Sequence, residues 1–132
     1  MVKILDASAL VAYLWKQSGY EKVQDFLTKA TDDEKRLLMT TVNLGEVYYL
    51  LLRDHGPEDA DRILKVIETL PIDFVDVDMK LVKQAAIYKA TKKLPYADCF
   101  AAALAKVHKG EIVTGDKEFK TIENEVKVIW VV

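Results

Sequence analysis

The chain predicts an α/β fold in which helices cover both faces of a parallel sheet. Short segments such as Val2 to Leu5, an apolar run that ends at Asp6, have the pattern of buried, parallel-type strands. Longer stretches between them carry apolar residues at helical spacing. The two kinds of segment alternate from end to end, which favours βαβ units over an antiparallel sheet.

Taken in order, Val2 to Leu5 is the first strand and stops at Asp6. Ser8 to Lys16 is helical, with Leu10, Val11, Leu14 and Trp15 on one face, and Gly19 breaks it. Tyr20 to Ala30 is a second amphipathic helix. Leu37 to Met39 is a brief strand, and Thr40, Thr41 and Asn43 are candidate caps for a helix reaching about Asp54. Gly56 and Pro57 separate that helix from Glu58 to Leu70. Ile72 to Val77 alternates as a strand does. Asp78 caps Met79 to Lys92, whose stripe is Leu81, Val82, Ala85, Ala86 and Ala90. Pro95 opens a helix over Tyr96 to Lys106. Glu111 to Thr114 and Val126 to Val132 are the last strands, with a short helix or turn at Lys117 to Ile122.

Composition narrows the classes. A chain of 132 residues, 51% hydrophobic, is read as one domain (1–132) with a core that needs no staples. The single Cys99 excludes an intramolecular disulfide and fits a reducing compartment. Asp6 interrupts the N-terminal apolar run too early for a signal peptide, and no run approaches the ~20 apolar residues of a membrane span. A cytoplasmic location with no membrane contact is therefore expected. The net charge of −2 argues against a simple basic nucleic-acid binder. It leaves room for an enzyme whose metal ions supply the positive charge at a phosphate.

Four acids stand at the edges of elements: Asp6, Glu46, Asp98 and Asp116. Each has a structural use as well. Asp6 suits a helix N-cap. Glu46, three residues after Asn43, suits a capping box. Asp98 suits the positive end of its helix, and Asp116 suits a turn after Gly115. Two neighbours favour more than that. Gly45 inside a helix costs about 1 kcal/mol against Ala, which a close backbone approach beside Glu46 would explain. Ala101, Ala102 and Ala105 suggest tight packing on the side of Asp98. Ser8 either caps the first helix or supports the site.

In an open α/β sheet, ligands bind beyond the carboxyl ends of the strands, where the strand order reverses. Asp6 and Asp116 both end strands. Acids gathered there repel one another and raise their own pKa values unless a cation neutralises them. An all-oxygen set favours Mg²⁺ or Mn²⁺ over zinc. Only His55 and His108 offer imidazole, and both end helices beside glycine. Acids with Mg²⁺ suit phosphodiester hydrolysis, and Lys92, Lys93 and Lys117 are candidates to touch flanking phosphates.

ILDASAL, NLGEVYYLL, LPYADCFAAALA and IVTGDKEF together resemble the PIN domain family, and within it the VapC-type toxins of prokaryotic toxin–antitoxin pairs. LPYADCFAAALA is the most specific of these pieces. The resemblance implies a three-layer α/β/α fold with a short parallel sheet of about five strands, and a metal-dependent endoribonuclease. It implies that Asp6, Asp98 and Asp116 are metal ligands, that Glu46 holds or deprotonates the attacking water, and that Ser8 and Thr114 support the metal shell. It also implies an RNA substrate, a homodimer and a cognate antitoxin, with Tyr13, Trp15 and Tyr48 as candidate contacts. A PIN fold kept for binding RNA or protein, or an RNA-processing nuclease outside a toxin system, is the alternative. A response-regulator receiver expects an acidic pair after the first strand, whereas Ala7 follows Asp6. A haloacid-dehalogenase phosphatase expects Asp-x-Asp, whereas the chain reads Asp6-Ala7-Ser8.

Overall fold

Five short strands build one parallel sheet: β1 (Lys3–Leu5), β2 (Leu37–Thr40), β3 (Ile72–Val75), β4 (Glu111–Thr114) and β5 (Lys127–Trp130). The structure is a computed structural model describing Met1 to Val132. The spatial order is β3-β2-β1-β4-β5. From the central β1 the chain builds outward through β2 and β3, then crosses back to place β4 and β5 on the other side. The order therefore reverses between β1 and β4, which pair in register at Ile4 with Ile112 and Leu5 with Val113.

Alternation along the strands sends side chains to two separate cores. Ile4 and Ile112 point to one face, packed by α5 (Met79–Thr91) and α6 (Tyr96–His108). Leu5, Met39 and Val113 point to the other. That face is packed by α1 (Ala7–Leu14), α2 (Tyr20–Asp32), α3 (Thr41–His55) and α4 (Pro57–Glu68). This is the expected three-layer α/β/α sandwich with five parallel strands. Lys117–Ile122 forms a 3-10 helix leading into β5.

Local signals set the helix boundaries. The carboxylate of Asp6 caps α1, the hydroxyl of Thr40 caps α3 and the carboxylate of Asp78 caps α5. Pro57 opens α4 with φ preset. On α6, Ala101, Ala102 and Ala105 are buried to 1% exposure or less, so the alanine run is packed as its composition suggests.

Three expectations are corrected. The buried stripe of α5 is Leu81, Ala85 and Tyr88, while Val82, Ala86 and Ala90 face outward. The principal neighbour of α5 is α6, which covers only a narrow stripe of it. The strand expected to reach Val77 ends at Val75, where its pairing with Thr40 ends. Gly45 answers to no close approach, because a Cβ there would meet nothing within 4 Å. No helix is long and apolar enough to cross a membrane.

Candidate metal centre

Asp6 leaves the end of β1 and turns the chain into α1. Its Oδ1 accepts the Ala9 amide at 2.8 Å, and both carboxylate oxygens are 2.9 Å from the Ser8 hydroxyl. Thr114, at the end of the neighbouring β4, donates its hydroxyl to Asp6. The same Thr114 oxygen accepts the Asp116 amide at 2.9 Å. Thr114 is fully buried and so ties the two strand-end acids together. The Ser8 oxygen in turn accepts the Gly115 amide at 3.3 Å, closing the link between the two loops. Asp6 is both a helix cap and part of an acidic group.

Asp98 sits in the first turn of α6 and is 6% exposed. Its pKa is pushed up to about 8, first by burial and then by Asp116, Asp6, Glu46 and Glu118, and no hydrogen bond pulls it back. Asp6 rises to about 6 because burial outweighs its three donors, with Asp116 adding to the rise. Glu46, half-buried in α3, is raised by burial and by Asp116. No lysine or arginine lowers any of these three.

Glu46 is not a capping-box residue. The cap of its helix is Thr40, and the third helical position belongs to Asn43. Capping therefore leaves the Glu46 carboxylate without a structural task.

The structure brings all four selected acids within electrostatic reach, and it adds Glu118. One oxygen each from Asp98, Asp116 and Glu118 lies within 4.8 Å of the others. Asp6 and Glu46 flank this group without joining its closest set. Glu118 is held there because Asp116 accepts its amide at 2.9 Å, which opens the 3-10 helix. The available signal was an acid two residues after Asp116, at the start of a tight turn. Of the candidate phosphate contacts, Lys92 is paired with Glu125 at 2.6 Å. His55 stacks on Trp15 with ring centroids 5.7 Å apart, away from the acids.

A buried carboxylate with no donor, facing other acids and with no cation lowering its pKa, fits an all-oxygen divalent site. The all-carboxylate donor set of Asp98, Asp116 and Glu118 is of the kind that hard, oxygen-seeking divalent ions favour.

Comparisons with known proteins agree with this architecture. The family model described as PIN domain matches residues 3–125. The VapBC2 complex of Rickettsia felis bound to a promoter DNA fragment superposes with a TM-score of 0.76 at 18% identity, covering 98% of each chain. A toxin–antitoxin complex from Klebsiella pneumoniae gives 0.75 at 12% identity, also covering 98% of each. VapC20 of Mycobacterium tuberculosis, a sarcin–ricin loop cleaving toxin, gives 0.70 at 15% identity, covering 89% of this chain and 92% of that one. No curated protein matches the sequence.

Proposed function

Because the chain belongs to the PIN domain family, we propose that it is a metal-dependent endoribonuclease acting as the toxin of a toxin–antitoxin pair. The observation that carries the proposal is the buried, uncompensated carboxylate of Asp98 beside Asp116 and Glu118, at the point where the strand order reverses. In this reading Asp98, Asp116 and Glu118 would hold a Mg²⁺ or Mn²⁺ ion, with Asp6 behind them. The ion, when bound, supplies positive charge to the phosphate and to the leaving oxygen.

The residues of the chain supply the rest. Glu46 is exposed enough to meet solvent, and its raised pKa suits it to orient a water and take its proton. Ser8 and Thr114 hold the Asp6 carboxylate in one rotamer, so that its charge faces the cluster. Solved relatives include toxin–antitoxin complexes, and this chain exposes Tyr49 and Leu52 on α3 and Val82 and Ile87 on α5. An antitoxin polypeptide and a second copy of the chain are the partners we propose for such surfaces.

Purified protein free of antitoxin is incubated with mixed RNA in Mn²⁺, in Mg²⁺ and in EDTA. Cleavage is expected with either ion and absent in EDTA. Asp98→Asn is expected to lower the rate by about 10²-fold or more, the scale of losing one electrostatic group from a site of this kind. Binding of RNA with no cleavage in any lane would favour the binding-module alternative.

A further inference from the structure

We propose that Asn43 is a positioning residue that fixes the helix carrying Glu46 against the helix carrying Asp98; this inference rests on the metal-centre reading above. Asn43 is fully buried in the first turn of α3. Its backbone amide donates to the Thr40 hydroxyl at 3.0 Å, and that hydroxyl donates back to the Asn43 side-chain oxygen. The amide orientation is thereby set: the oxygen faces Thr40 and the nitrogen faces outward from α3. Asn43 Nδ2 then donates to the backbone carbonyl of Ala97 at 3.0 Å. Ala97 immediately precedes Asp98 in the first turn of α6.

Glu46 follows Asn43 by three residues, almost one helical turn. One side chain thus joins the turn bearing Asp98 to the turn leading to Glu46. A side-chain-to-backbone bond at this joint fixes the spacing of the two turns that carry the acids. Partners behind metal ligands are commonly worth ~10–100-fold in metal affinity.

The test is Mn²⁺ binding by calorimetry in the absence of RNA, with thermal melting beside it. Asn43→Ala is compared with Asn43→Ser, whose hydroxyl suits the first helical turn but stops short of Ala97. Val23→Ala, a core truncation on the remote α2, serves as the stability control. Both Asn43 variants are expected to bind Mn²⁺ about tenfold more weakly. Val23→Ala is expected to lose stability while binding as the wild type does. Asn43 variants that fold and bind as tightly as wild type would overturn the inference alone. A control that weakens as much as they do would also overturn it, by reducing the effect to general stability. Wild-type protein that binds no Mn²⁺ would overturn the underlying reading and this inference with it.

Discussion

At Asp98 burial and like charge act in one direction. The unfolded chain releases this proton near its ordinary value of 3.8, and the folded, metal-free site keeps it to about 8. Between those values the native state binds the extra proton, so stability falls as pH rises through the interval. Asp6 contributes in the same sense up to about 6. Asp98→Asn removes the larger of these penalties while keeping the shape of the side chain. Metal-free Asp98→Asn is therefore expected to melt above the wild type by roughly 5–10 °C at pH 8, from a gain on the order of a few kcal/mol. The gap should close towards pH 4, where both chains are neutral at this position. Scanning calorimetry in EDTA at several pH values checks it. A wild type that is the more stable at pH 8 would show that the carboxylate has a stabilising partner.

At the scale of elements, the two glycines beside the site and beneath it behave oppositely. Gly45 lies in α3 with open space where a Cβ would go and no positive φ. Gly45→Ala should raise stability by about 1 kcal/mol through helix propensity. Gly110 joins α6 to β4, and a Cβ there would stand 2.6 Å from the Val2 carbonyl oxygen and 2.7 Å from Ile4 Cδ1. Gly110→Ala should cost about 1–3 kcal/mol by overpacking. Urea unfolding of both variants separates the two cases.

The same scale shows what was legible in the amino-acid order. The elements and the parallel sheet follow from local periodicity and caps, and Asp6 and Asp116 could be placed because strand ends are local features. Asp98 could be placed because Pro95 announces its helix. Glu118 required the 3-10 turn that Asp116 itself creates, and Asn43 required a partner 54 residues away. The only local signal for Glu118 is its place two residues after Asp116, and for the contact of Asn43 with Ala97 there is none. Gly45 misled because a helix glycine has several causes, and only the surrounding space tells them apart. Val82, Ala86 and Ala90 misled because an apolar stripe wider than its cover leaves its edges exposed.

For the whole molecule, the sheet topology concentrates negative charge at one end. Strand reversal places Asp6 and Asp116 side by side, α6 brings Asp98, and α3 brings Glu46. A ligand that binds only the folded state raises its stability by RT ln(1 + [L]/Kd), about 2.7 kcal/mol at 100 times Kd. Protons compete with a cation for these carboxylates, so the rise should be larger at pH 8 than at pH 5.5. The measurement that tests the cluster most directly is the Mn²⁺-induced shift in melting temperature at pH 8, in wild type and in Asp98→Asn. The expected result is a clear upward shift in wild type and a much smaller one in the variant, which starts from a higher melting temperature. Equal shifts in the two proteins, or none in either at 10 mM Mn²⁺ (about a thousandfold above a ~10 µM site), would contradict a metal centre built on Asp98.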